Sequence, residues 1–228
     1  QYLNKALFML NENEREIIEK TVQFVKRTLA GAEGGHDWFH TQRVWNNAKL
    51  IAGSEDVNPF VVELAALLHD IADAKFHDGN EAIGAETTGR FLKSLNVSED
   101  IVGHVVHIVR NMSFRKQLDG VVFSSPEMLV VQDADRLDAI GAVGIGRAFS
   151  FGGFKNRAMY DPDIKPETNI TGETYRNSNA PTINHFYEKL LLLKDMMNTE
   201  TAKKIAANRH LVMERFLDDF LDEWHGLK

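Results

Sequence analysis

Three separated segments of the chain offer hard-metal ligands from stretches that otherwise read as apolar helix: His40 in HDWFHTQRV, the pair His69-Asp70 closing LAALLHD, and Asp135 in VVQDADRLDAIGA. Imidazole and carboxylate together bind divalent first-row metals, and such ions bring the pKa of bound water down toward neutrality. One histidine, an adjacent His-Asp pair and a distant aspartate compose a four-ligand set, and the chemistry it points to is metal-dependent hydrolysis. Asp133 and Asp138 are rivals for the last place. Asp138 lies three residues beyond Asp135 and so on the same helix face, where it could orient a ligand, touch the metal-bound water or accept a proton, whereas Asp133 points elsewhere.

The elements that must carry these residues are helical. Asn11-Glu12-Asn13 can start a helix over roughly residues 13 to 30, which Gly31, Gly34 and Gly35 break. Asp37 is a good N-cap for a helix running to Ile51-Ala52, on which His40, Arg43, Val44, Asn47 and Ile51 share one face. Asn58-Pro59 is a cap followed by proline at the first helical position, and FVVELAALLHDIA has scarcely a polar residue before His69. An ionised carboxylate at the end of such a buried helix is costly unless a cation or strong donors compensate it, and a metal does so. Gly79-Asn80 and Asn96 bracket a further helix, and Ser98 opens one that turns His104 inward with Ile101, Val105 and Ile108. Ser125-Pro126 then predicts a long helix whose buried stripe is Val131, Asp135, Asp138, Ala142, Ile145 and Phe149, ended by Gly152-Gly153. FKNRAMYDPDIKPETNITGETYRNSNAPT has no clear period, and Thr182 and Thr199 cap two last helices, with Gly226 as the stop. The only β-like stretch, GVVFSS, is too short to carry a sheet, so the fold class is all-α.

At 228 residues the length suits one domain with a real core. No apolar run is long enough to span a membrane, and QYLNKALFML lacks the basic n-region and cleavage site of a signal peptide, although the chain starts without Met. Zero cysteines exclude disulfides, a thiolate nucleophile and a thiolate metal site, which fits the cytoplasm. A net charge of −7 argues against long nucleic acid as partner, so an anionic substrate must be held by the metal and a few local cations.

The ordered set His40, His69-Asp70, Asp135, each in helical context, resembles the H…HD…D pattern of the HD-domain metal-dependent phosphohydrolase superfamily. GGHDWFHTQRVW, LLHDIADAKFHDGNE and QDADRLDAIGAVGIGRAF are similar to small stand-alone bacterial members, and the likeness extends through TINHFYEKLLLLKDMMNTETA. The resemblance implies one divalent ion on His40, His69, Asp70 and Asp135, a single helical-bundle domain around it, and cleavage of phosphate esters or anhydrides, often in nucleotides. Adjacent helical residues diverge by roughly 100°, so the resemblance, not the spacing, is the reason to let His69 and Asp70 share one ion. The single domain would comprise a metal-binding core over about residues 36–149, an irregular segment over about 150–181 and C-terminal helices over about 182–225.

Mn²⁺ suits a mixed imidazole and carboxylate set with open positions, with Co²⁺, Ni²⁺, Fe²⁺ and Mg²⁺ as alternatives. The expected substrate is a nucleoside triphosphate cleaved with release of pyrophosphate, and a nucleoside monophosphate comes next. Asp70 and Asp138 are the carboxylates that could handle the proton. His36 reads as a substrate contact outside the helix, His104 as a core histidine that could also serve a second metal or the substrate. Arg43, Arg110, Arg147, Lys155 and Arg157 are the cations available to phosphates, with Lys155 and Arg157 at the root of a segment that could close as a basic lid. A di-iron oxygenase, which needs His104 or His107 beside Asp70, and a non-catalytic metal or nucleotide sensor are the rival classes. The sequence leaves monomer and homodimer equally open.

Overall fold

The computed structural model describes residues 10–31, 37–71, 82–112, 123–167 and 180–228. Among these residues the regular structure is helical and no strand occurs. His36 and the start of the GVVFSS stretch lie outside them. The contacts divide the chain into two compact units, residues 1–134 and 135–228.

In the first unit, α1 (Glu12–Thr28) opens on a reciprocal cap. The Asn11 side chain accepts from the Glu14 amide at 2.9 Å and the Glu14 carboxylate accepts from the Asn11 amide at 2.8 Å. Helix α2 (Trp38–Ala52) starts at Asp37, whose carboxylate accepts from the amide of His40 at 2.8 Å. The predicted cap therefore fastens the backbone of a candidate ligand directly. In α3 (Pro59–Leu68) the Asn58 side chain accepts from the amides of Phe60 and Val61, and every later residue but Glu63 is buried. Such all-round burial follows from its neighbours, since α3 packs against α1, α2 and α5 (Glu99–Asn111), while α4 (Ala82–Ser94) packs on α5. The end of α3 thus presents His69 and Asp70 from the best-buried helix of the unit.

The long helix predicted from Ser125 is two helices, α6 (Pro126–Asp138) and α7 (Gly141–Phe154). Ile140 is extended and Gly141 takes φ +75°, a conformation that costs glycine little and other residues more. The predicted stripe therefore stops at Asp138, and Ala142, beyond the turn, is exposed. The turn brings the Ala139 carbonyl oxygen to 2.2 Å from where a Cβ on Gly144 would stand, a close approach that the absence of a side chain allows.

The other elements of the second unit are α8 (Thr182–Glu188), a 3₁₀ segment (Leu190–Met196) and α9 (Glu200–Trp224). One helix was expected over HFYEKLLLLKDMM, but Lys189, at φ −145°, separates the α-helical from the 3₁₀ turns. Thr182 is the first helical residue, with Pro181 at the cap position, whereas Thr199 does cap α9 by accepting from the Ala202 amide at 3.2 Å. Gly226 follows α9 at φ +67°. Phe149, Phe186, Phe216 and Phe220 meet with ring centroids 5.8–6.2 Å apart and knit α7, α8 and α9 together. Part of the irregular segment is tied down as well. The carbonyls of Ala158 and Met159 accept from the Thr182 and Ile183 amides at 2.9 Å, and Asn184 Nδ2 donates to the Ile164 carbonyl at 2.9 Å.

His185 gives this unit a pH dependence. Burial, with the nearby charges of Lys189 and Arg157 adding to it, pushes its imidazole down to about 4. The unfolded chain takes up that proton near pH 6.5 and the folded chain only near pH 4, so stability present above pH 6.5 is lost as pH falls through that window. Chemical unfolding at pH 7 and pH 4 should differ by up to about 3 kcal/mol from this residue. His185→Gln should flatten the profile over that window; an unchanged slope would remove His185 as its source.

Candidate metal centre

His40 projects from the first turn of α2 and is almost wholly buried, and His69 caps the end of α3. Asp135 lies in α6. One ligand atom from each of His40, His69 and Asp135 lies within 4.8 Å of the other two. The three form a group that could hold a metal ion. Asp70 stands outside this trio but beside it, its Oδ2 being 3.7 Å from His40 Nε2.

The hydrogen bonding of His69 tests whether the residues fit a metal. Its Nδ1 donates to the Ala66 carbonyl at 2.9 Å, which assigns the ring proton to Nδ1 and leaves a lone pair on Nε2. Nε2 is buried and has no hydrogen-bond partner among the described residues. A buried acceptor left without a donor costs roughly 1–3 kcal/mol, whereas a metal would satisfy it. Backbone carbonyls hold metal-binding imidazoles in this same way, by the nitrogen that does not ligate. The two imidazoles stand edge to face, with centroids 5.4 Å apart, so both rings can aim at one point.

The remaining sequence-predicted residues fall into different surroundings. Asp133 is fully buried and not part of the trio, and Asp138, buried as well, accepts from Arg147 Nη1 at 2.7 Å. His104 Nε2 lies 2.9 Å from Ser125 Oγ and 3.5 Å from Glu127 Oε2, while Glu127 Oε1 accepts from the Asn58 amide. That nitrogen is engaged by the start of α6, and His104 does not join the trio. Arg43 is half-buried one turn after His40, and Arg110 is exposed near the end of α5. Lys155 lies over the rings of Phe151 and Phe154, and the Arg157 guanidinium over Phe151 at 5.6 Å. A groove of about 690 Å³ lined by Arg27, Trp45, Phe91 and Leu95 lies elsewhere, for neither His40, His69 nor Asp135 lines it.

Sequence reasoning missed Ala66, whose carbonyl selects the His69 tautomer, and Arg209, whose guanidinium donates to the Leu137 carbonyl. The first had a signal, the three-residue spacing between a helical carbonyl and an imidazole at the helix end. The second had none, being 72 residues away along the chain.

Residues 38–140 match the family described as HD domain. The Bacillus subtilis protein YpgQ is 39% identical over 202 residues, which cover 87% of this chain and 89% of YpgQ. The chain belongs to the HD-domain family. Solved structures agree. A Lactobacillus plantarum protein, 40% identical, superposes with a TM-score of 0.79 over 96% of this chain and 100% of its own. A Bacillus thuringiensis HD-superfamily hydrolase, 44% identical, gives 0.74 over 93% and 98%. YpgQ itself, 34% identical in the structural superposition, has been solved in complex with ADP and gives 0.73 over 92% and 96%. This HD-domain protein is a metal-dependent phosphohydrolase. No helix among the described residues is long and apolar enough to cross a membrane.

Proposed function

We propose that His40, His69, Asp70 and Asp135 hold one divalent ion, with Mn²⁺ as the best match, and that the substrate is a nucleoside triphosphate hydrolysed to the monophosphate and pyrophosphate. Two observations support the metal site: the buried Nε2 of His69 has no hydrogen-bond partner among the described residues, and one ligand atom of His69 lies within 4.8 Å of ligand atoms from His40 and Asp135. The nucleotide is supported by YpgQ, a relative that binds ADP in its crystal structure.

A divalent ion held by these residues would supply Lewis acidity and lower the pKa of water toward neutrality. The chain's own residues do the rest. The His69 ring is oriented by the Ala66 carbonyl, and the Asp37 cap fastens the backbone amide of His40. In the reaction the water oxygen bonds to the α-phosphorus as the bridge to the β-phosphate breaks, and the water gives up a proton. Asp70, beside His40 and partly exposed, is the carboxylate suited to steer that water and take the proton. Asp138 is held by Arg147 and buried, which suits it to fixing the end of α6 rather than to proton transfer. Arg43, on the His40 face of α2, is the cation we assign to the phosphates, with Lys155, Arg157, Arg110, His104 and His36 as further contacts.

The test is chelator-stripped protein given Mn²⁺, Co²⁺, Ni²⁺ or Mg²⁺ and a panel of nucleoside mono-, di- and triphosphates, with products separated by ion exchange. Mn²⁺-dependent monophosphate plus pyrophosphate is the expected result. Release of inorganic phosphate from monophosphates would replace the triphosphate by the monophosphate reading, and metal binding with no turnover on any nucleotide would overturn both.

A further inference from the structure

We infer that Arg209 and Arg147 are positioning residues for Asp135: from α9 and α7 they clamp the last turn of α6 and thereby hold the Asp135 carboxylate in place. The inference rests on the metal reading above and extends it to residues that touch no ligand.

Asp135 lies three residues from the end of α6, in the turn where helix carbonyls lose their intrahelical donors and tend to fray. Arg209 Nη1 donates to the Leu137 carbonyl, which also receives a long 3.4 Å contact from the Ile140 amide. Arg147 Nη1 donates to Asp138 Oδ2 at 2.7 Å, on a carboxylate that is 2% exposed. Arg136, inside the same turn, reaches out to the Met196 carbonyl at 2.6 Å. Three guanidiniums thus connect one helical turn to α7, α9 and the 3₁₀ segment.

Local geometry is adapted to this clamp. A Cβ on Gly141 would stand 2.9 Å from both Cβ and Cγ of Arg209, so the arginine stem crosses the chain where glycine leaves room. The same glycine provides the φ of +75° that turns α6 into α7 and sends Arg147 back toward Asp138. Burial disfavours the Arg209 charge and Asp138 offsets part of that cost. Buried ion pairs add little net stability compared with apolar packing of similar volume. Their contribution here is directional: they fix the end of a helix that carries a ligand.

The experiment uses the full chain, stripped of metal. Arg209→Met keeps the stem over Gly141 and removes the guanidinium. Mn²⁺ affinity, read as free Mn²⁺ by electron paramagnetic resonance without substrate, should fall about tenfold to a hundredfold, the range found when groups supporting metal ligands are removed. Circular dichroism and the metal-free unfolding midpoint should stay near wild type. Arg147→Gln should act in the same direction, and Arg147→Lys, which keeps the charge on Asp138, should recover most of the loss. Wild-type Mn²⁺ affinity in folded Arg209→Met and Arg147→Gln, or failure of both to fold, would make these arginines ordinary helix-end supports and overturn the proposal. His69→Ala is measured alongside. If it too binds Mn²⁺ like wild type, the metal reading has failed rather than the clamp.

Discussion

His69→Ala should lower kcat/KM by about a thousandfold or more, equivalent to about 4 kcal/mol of transition-state stabilisation, and Asp135→Ala should do the same. Each removes a donor from the trio at which two imidazoles and a carboxylate converge. Because the residues act through one ion, the effects should not add: His69→Ala/Asp135→Ala should be little worse than either single variant. Asp70→Ala belongs to the same set and should also abolish metal occupancy and turnover. In all three the helical fold should persist, because none of these side chains is part of the apolar core. Metal content after gel filtration, turnover and far-UV circular dichroism on the same samples decide the matter. Full activity in any one variant would remove that residue from the site.

The largest effect on stability should come from α3. Leu68 is fully buried, precedes His69, and belongs to a helix enclosed by α1, α2 and α5. Leu68→Ala deletes apolar contact and leaves a cavity that close-packed helices cannot easily collapse into, a cost of about 3 kcal/mol. The urea midpoint should fall with little change in slope. Turnover of the remaining folded protein at saturating metal should stay near wild type, since the His69 ring is fixed by the Ala66 carbonyl rather than by the leucine. A loss of activity as large as that of His69→Ala, with the midpoint unmoved, would show that Leu68 supports the imidazole directly.

These two expectations draw on different levels of information. That Leu68 is core and His69 stands at the end of a buried helix could be read from Asn58-Pro59 and the unbroken apolar run after it. Local rules settle such a matter: the cap, the proline and the absence of polar residues act over a few positions, and the structure keeps them. Asp37 before α2, Asn11 before α1 and Thr199 before α9 were legible for the same reason. The ordered His40, His69-Asp70 and Asp135 likewise pointed to the HD-domain family before any geometry was known.

What the residues alone left open was decided by packing. Periodicity runs smoothly through Asp138 into Ala142, yet the chain turns there, with Gly141 and Gly144 at positions where a Cβ would not fit. Asp135 and Asp138 share a face by spacing, yet Arg147, arriving after the turn, takes Asp138 into an ion pair, while Asp135 is grouped with His40 and His69 as a set that could hold a metal ion. His104, a core histidine by its spacing that could also have served a second metal or the substrate, lies against Ser125 and Glu127. By itself the sequence determined which helices carry the candidate side chains, because helix starts and buried faces are short-range properties. The tertiary structure alone decided which carboxylate is grouped with the two histidines, which nitrogen of His69 bonds the Ala66 carbonyl, and which arginines bond the end of α6. Those outcomes depend on groups that meet only when distant segments pack.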